Sequence, residues 1–319
     1  NHQQSKIVAS TYGRGLWRSD LYSSGTALPD AEFGYDATII CTGDTINFTD
    51  STLNNPGAWI WSFSPSTVTF INSNQNSQNP SVRFDTSGYY TVSLTASNLN
   101  GNDTETKASL VKAGGIQVPI TETFEPMSST IGEWSVYNPD NGVTWSLASV
   151  AGNTPGNQAA YMDNYNYNST GARDDLFSPI LNLSSYSSAL LSFQHAYTRY
   201  TGYSSDSLII YASGDCGATW NKLWAKAENG TGNFATAPDN TYQTSSSFSP
   251  STTSDWCGSS PGAPCFNINL NSYAGNDNIL LRFQAYNNYS NNLYLDNVTI
   301  TGSNTLPVTA SFTGSASSV

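Results

Sequence analysis

The chain has 319 residues, with 11 Lys and Arg against 23 Asp and Glu and a formal net charge of −12. That length accommodates two or three domains rather than one core. The acidic balance argues against nucleic acid or an anionic membrane as partner, because phosphate binding needs clustered Lys and Arg. No apolar run approaches the roughly 20 residues that span a bilayer, so direct membrane insertion is not expected.

Charged residues make up only 11% of the chain, yet it carries 8 Trp, 19 Tyr and 13 Phe, too many aromatics for a disordered polymer. Ser, Thr, Asn, Gly and Tyr dominate and helix formers are scarce, so the expected class is all-β. Neither an initiating Met nor a signal peptide opens the sequence, and the chain is expected to be an internal piece of a processed precursor. Of the four cysteines, Cys257 and Cys265 flank the tight loop CGSSPGAPC and are expected to form a disulfide in an oxidising compartment. Four cysteines allow three complete pairings, which leaves Cys41 and Cys216 open. Cys41 is expected to act as a small buried hydrophobe.

Residues 1–27 stand apart. Ile7, Val8, Leu16 and Trp17 are strand-like residues around a Gly-Arg-Gly turn. The stretch KIVASTYGRGLWRSDLY resembles the closing strand of bacterial β-propellers built from sialidase-like repeats. A propeller needs several four-stranded sheets, so this tail implies either a preceding propeller or a linker strand.

Residues 28–114 form the second unit. WIWSF places Trp59, Trp61 and Phe63 on one strand face, and GYYTVSLTASNLNG alternates Tyr90, Val92, Leu94 and Ala96 against Tyr89, Thr91, Ser93 and Thr95. The pattern Gly-x-Tyr-x-Val-x-Leu followed by Asn98 and Gly101 is similar to that of PKD domains, which are immunoglobulin-like β-sandwiches. It departs from them after Phe63, where Ser64 and Pro65 replace the usual Gly-Asp-Gly turn.

Residues 115–304 form the third unit, with strands expected at 190–197, 207–213, 279–286 and 293–301. ETFEP, GEW, AAYMDN, LFSP, LSFQHAY and LYLDNVTI occur in an order that resembles MAM-like and cleaved-adhesin-type jelly-roll domains. Such domains are non-catalytic modules of large secreted and surface proteins. Residues 305–319 open with LPVTASF, an echo of LPDAEF at 28–33, and are read as the start of a further immunoglobulin-like repeat. The expected fold is therefore an immunoglobulin-like (PKD-like) sandwich plus a jelly-roll sandwich. By resemblance, this arrangement is typical of Bacteroidetes proteins exported by the type IX system.

SGDCGATW matches an Asp-box, whose physics is that of a turn: Asp215 accepts hydrogen bonds, Gly217 takes positive φ and Trp220 packs beneath. Strand alternation places Tyr294, Asp296, Val298 and Ile300 inward together. A buried carboxylate is costly unless it is paired or binds a metal. The alternatives are hydrogen bonds from backbone amides, or alternation of the opposite phase. The jelly-roll resemblance implies a structural calcium held by Glu125 and Asp296, with Asp163 as a third ligand and loop carbonyls completing the oxygen shell.

Two stretches, Phe193 to Ile210 and Phe283 to Ile300, resemble each other as strand, Tyr- and Asn-rich loop, and strand bearing an Asp. If the leading strands run the same way, Tyr197, Tyr200, Tyr203, Tyr286 and Tyr289 form an aromatic rim for sugar stacking or protein contact, extended by Tyr165 and Tyr167.

Catalytic residues are few. His2 and His195 are the only histidines, which excludes an HExxH zinc site, and no nucleophile elbow is present. His195 is expected to be a core histidine, and the Asp174–Asp175 pair to sit at a strand entrance rather than to form a glycosidase dyad. Sequons such as those at Asn47 and Asn182 arise by chance in so Asn-, Ser- and Thr-rich a chain. The expected function is non-catalytic adhesion, with a glycan or protein of a cell or matrix surface and other domains of the same precursor as partners. The alternatives are accessory domains of a secreted glycosidase or peptidase, and a stalk or filament component.

Overall fold

The computed structural model describes residues 6–11, 15–20, 27–153, 156–203, 206–227, 235–236, 243–258 and 265–304. The repeat expected over 305–319 lies outside them. Two compact units divide the chain, Asn1–Ala113 and Gly114–Val319. At the start of the first, Lys6–Thr11 pairs antiparallel with Gly15–Asp20.

The rest of the first unit is a sandwich of two four-stranded sheets. One runs Ile39–Ile40, Gly101–Ala113, Gly88–Asn98, Ala58–Ser64, and the other Phe33–Tyr35, Thr45–Asp50, Ser81–Phe84, Val68–Ile71. Strict alternation buries Tyr90, Val92, Leu94 and Ala96. Trp61 fills the centre, 5.1 Å from Phe33 and 5.4 Å from Phe48, and its indole N–H donates to the Ser77 carbonyl at 2.9 Å.

The second unit is an all-β jelly-roll sandwich. Its first sheet runs Ser146–Ser149, Gln158–Met162, Leu293–Ser303, Ser188–Tyr197, Phe266–Asn269, with Ile120–Glu122 also paired to Leu293–Ser303. Its second sheet runs Ser135–Tyr137, Arg173–Phe177, Leu280–Tyr286, Ser207–Ser213, Asn221–Ala227. Leu191, Phe193, Leu293, Leu295, Val298 and Ile300 of the first sheet meet Leu208, Ile210, Leu281 and Phe283 of the second. These apolar rows are the core.

The first sheet is covered on its outer side as well. Phe248 and Trp256 form a second apolar cluster with Tyr294, Ala159 and Ala196. The covering segment is tied down by the Cys257–Cys265 disulfide and by the Cys257 N–H, which donates to the His195 carbonyl at 2.9 Å. Cys41 is buried but is no free thiol, because every cysteine is oxidised. That corrects its reading as a plain hydrophobe.

This double covering changes the reading of Asp296. Leu293 and Leu295 face the core, so Tyr294 and Asp296 face the outer side. The pairing of Ser188–Tyr197 with Leu293–Ser303 slips between Ser192 and Gln194, and Asn297 takes φ +47°. This β-bulge reverses the phase and returns Val298 and Ile300 to the core. Asp296 is therefore buried, but on the opposite face from Val298 and Ile300.

Candidate functional site

Three loops meet at one end of the jelly roll, and hydrogen bonds lace them together. Asp206, 0% exposed, accepts the backbone N–H groups of Asn288 at 2.7 Å, Asn291 at 2.8 Å and Ser290 at 3.3 Å. Burial pushes its carboxyl up to about 7, against the opposing pull of the Asn288, Asn291 and Ser290 amides. Asn287 donates its amide to the carbonyls of Tyr167 and Ser169, at 2.7 and 3.0 Å. Ser290 Oγ accepts the Tyr200 N–H at 3.0 Å, and Asn292 Oδ1 accepts the Tyr165 N–H at 3.2 Å.

The result is a continuous row of four tyrosines. Tyr165 stands 5.6 Å from Tyr200, Tyr200 5.1 Å from Tyr203, and Tyr203 5.2 Å from Tyr289. Tyr203 is 48% exposed. Beside the row lies a shallow depression of ≈ 480 Å³ lined by Asn168, Thr170, Gly202, Tyr203, Asn288 and Tyr289. A second depression, of ≈ 190 Å³, lies against Tyr165, Tyr200 and Tyr289. Flat rings bordered by amides and hydroxyls suit a neutral polar ligand with apolar faces.

Three expected rim residues lie elsewhere. Tyr197 is the last residue of its strand and points into the core at 0% exposure, where its hydroxyl donates to Ser290 Oγ at 3.1 Å. Tyr167 is buried and donates to Asp140 at 2.7 Å. Tyr286 ends the Leu280–Tyr286 strand on the outer face of the second sheet, under the Arg173 guanidinium at 4.7 Å. All three are framework rather than rim.

The acidic locus lies away from this row. Asp296 Oδ1 accepts the Asn297 N–H at 2.6 Å, and Oδ2 accepts the Asn153 amide at 2.7 Å. Burial pushes its carboxyl up to about 7, and the charges of Glu125 and Glu122 act in the same direction. Glu125 Oε1 accepts the backbone N–H groups of Asn157 and Gln158, each at 2.7 Å. The loop wraps so closely that a Cβ on Gly156 would lie 2.1 Å from Glu125 Oε1. Glu122 has both oxygens engaged, by the Phe124 N–H and the Thr130 hydroxyl.

Asp296, buried and within the field of Glu125, thus offers with it the carboxylate oxygens that a hard divalent cation would take. Asp163 does not fit. Ala160 pairs with Leu295, and Asp163 lies three residues further along, about 10 Å at 3.3 Å per residue, on the side away from Asp296. Its carboxylate is occupied by Asn166.

Nothing in the described residues resembles a glycosidase dyad at Asp174–Asp175. Consecutive strand residues face opposite sides: Asp174 is interior, while Asp175 accepts the Gln284 amide at 2.9 Å and lies 3.7 Å from Arg282. His195 is fully buried and stacks on Phe266 at 5.4 Å. The Asp-box is a turn: Asp215 accepts the Ser213 hydroxyl at 2.6 Å and the Thr219 N–H at 2.8 Å, Gly217 takes φ +90°, and Trp220 lies 3.3 Å from a Cβ placed there. The hydroxyl bonds from Ser213 and Thr219 hold the Asp215 carboxyl down to about 2.

No curated protein matches the chain. Among solved structures, the K1 cleaved adhesin domain of Lys-gingipain from Porphyromonas gingivalis aligns at 18% identity and TM-score 0.39, over 58% of this chain and 98% of that one. A xylan-binding domain from Paenibacillus barcinonensis aligns at 13% identity and TM-score 0.34, over 60% of this chain and 99% of the other. A carbohydrate-binding module of the β-sandwich superfamily aligns at 13% identity and TM-score 0.34, over 86% and 99%. Likeness at this level transfers neither ligand nor site residue. The family described as the PKD domain matches residues 26–113, the segment that forms the first sandwich.

Proposed function

We propose that the jelly roll is a non-catalytic recognition module of a secreted or cell-surface protein, and that the Tyr165–Tyr200–Tyr203–Tyr289 row is its ligand platform. The continuous tyrosine row on a hydrogen-bonded loop frame carries this reading. Stacking on a row of rings is tolerant of sequence and linkage, and neutral glycan surfaces offer the matching apolar faces. The oxidised cysteines support an extracellular setting. The PKD-type sandwich then serves as spacer, and the Lys6–Thr11 and Gly15–Asp20 hairpin as the end of a propeller-like domain. Calcium held by Glu125 and Asp296 would supply countercharge, while the chain orients both carboxylates through the Asn153 amide and the Asn157 and Gln158 N–H groups.

The test is a glycan array and cell-binding assay on the whole chain, with Tyr200→Ala and Tyr289→Ala as variants. Binding lost in both variants, with unchanged thermal midpoints, supports the platform. Undiminished binding by both would remove it.

A further inference from the structure

We propose that Asp174 and the Asn138–Thr144 loop form a second cation site, distinct from Glu125 and Asp296, for a hard divalent ion of the calcium class. Asp174 lies on the Arg173–Phe177 strand at 0% exposure, and neither of its carboxylate oxygens accepts a hydrogen bond from any described residue. The hydroxyls of Thr144 and Tyr167 lie on its side and favour the ionised form, yet neither stands in hydrogen-bonding geometry. The Tyr167 hydroxyl has one hydrogen, and it goes to Asp140 Oδ2 at 2.7 Å. Thr144 Oγ1 is buried and makes no bond either, and so is Asn138 Oδ1 in the same loop.

The loop is prefolded. Asn138 donates its amide to the Gly142 carbonyl at 2.9 Å, and the Gly142 N–H donates to Asp140 Oδ1 at 2.8 Å. The Trp145 indole donates to the Asp174 main-chain carbonyl at 3.0 Å, which fixes the loop against the strand. The Tyr167 hydroxyl thus links Asp140 to the side of Asp174 on which the unpartnered Thr144 hydroxyl lies, and the donors offered are all oxygens, the set of calcium rather than of zinc or copper.

A buried, unpaired carboxylate must be neutralised by a proton, a cationic side chain or a metal ion. No Lys or Arg is among the groups acting on Asp174, whereas the charges of Asp140 and Asp175 both act against its ionisation. A hard cation is the neutraliser that these unpartnered oxygens fit, and Asp140, which is exposed, opens the site to solvent.

The experiment titrates CaCl₂ calorimetrically into the whole, chelator-stripped chain and follows Tb³⁺ luminescence excited through tryptophan. The variants are Asp140→Asn, Thr144→Val and Asp174→Asn, each also made with Glu125→Gln. Asp140→Asn is expected to weaken one Ca²⁺ binding event at least tenfold, equally in both backgrounds, and to remove Tb³⁺ emission sensitised by Trp145. Unchanged isotherms and emission in Asp140→Asn and Thr144→Val would overturn the proposal. So would Asp174→Asn folding with full calcium stoichiometry. If Asp174→Asn fails to fold, the Asp140→Asn and Thr144→Val variants decide alone.

Discussion

Asp206 accepts the backbone N–H of Asn288 at 2.7 Å, so an acid on one hairpin fixes the loop of another. The two residues are 82 positions apart in sequence. Through this bond Tyr289, at φ +56°, is held against Tyr203. Replacing Asp206 with Ala strands the half-buried Asn288 N–H and the two buried N–H groups of Ser290 and Asn291, each buried one costing about 1–3 kcal/mol when unpaired. Chemical denaturation should show a loss of roughly 2–6 kcal/mol, and binding through the tyrosine row should fall with it. A stability equal to that of the parent chain would show the bonds to be dispensable.

Tyr203 and Tyr197 separate recognition from folding. Tyr203 is about half exposed and, among the described residues, its ring contacts are with other rim tyrosines, so Tyr203→Ala should leave stability within about 0.5 kcal/mol. Ligand affinity should drop roughly tenfold, about 1.4 kcal/mol, as for a central aromatic contact. Tyr197→Ala empties a core position and should cost about 3–5 kcal/mol. Thermal melts and a binding isotherm on both variants check the split. Equal behaviour would mean that the row is ordinary core.

Asp296 sets a pH dependence of definite sign. Its native carboxyl is raised to about 7 from an ordinary 3.8, so between these values the folded chain holds a proton that the unfolded chain has lost. The stability from this group is full below about pH 4 and is lost as pH rises through about 7. In EGTA the thermal midpoint should therefore rise on acidification from pH 7.5 to 5, with a contribution on the order of 1–4 kcal/mol. At the proposed calcium site the ion would replace the proton as countercharge, so excess CaCl₂ should raise the midpoint at pH 7.5 and flatten the dependence. An identical curve in EGTA and in calcium would argue against an ion at Glu125 and Asp296.

The strands were far more legible than the loops, for a physical reason. Alternating polarity in LIIYAS and in YYTVSLTA is a local signal, and the Ser207–Ser213 strand has the bounds that its pattern predicts. Asp296 shows where locality ends: its burial is readable, but its face depends on a one-residue bulge set by the partner strand. Tyr197 and Tyr286 look like loop tyrosines, yet each is the final residue of a strand, where pleat rather than exposure fixes direction. Asp163 was grouped with Asp296 by motif, while the register of Ala160 with Leu295 separates them. The pinning of one loop by Asp206 joins residues so distant in sequence that no pattern could have announced it.

Removal of the Cys257–Cys265 disulfide tests how firmly the outer covering is held. Closing a loop of 8-residue separation restrains the unfolded chain by about 2.5 kcal/mol in the chain-entropy treatment. Cys265→Ser with Cys257→Ala should lower stability by roughly that amount. It should also speed hydrogen exchange at the Cys257 N–H that bonds His195, since the covering segment loses its tether. Exchange at that amide as slow as in the parent chain would show that Phe248 and Trp256 hold the segment unaided.

The bulge itself carries the last prediction. Asn297 sits at φ +47°, a region that Asn and Gly tolerate and that β-branched residues occupy only with strain. Asn297→Gly should keep the fold and its calcium response, because the backbone turn survives. Asn297→Val should cost about 1–2 kcal/mol from the backbone alone. Inserting one alanine after Asn297 is the sharper case: parity beyond the bulge reverses, so Val298 and Ile300 turn away from the core that now holds them. That insertion should prevent the second unit from folding while leaving the first sandwich intact. Differential scanning calorimetry would resolve the two units as separate transitions, and retention of both transitions in the insertion variant would mean that the bulge absorbs a second extra residue.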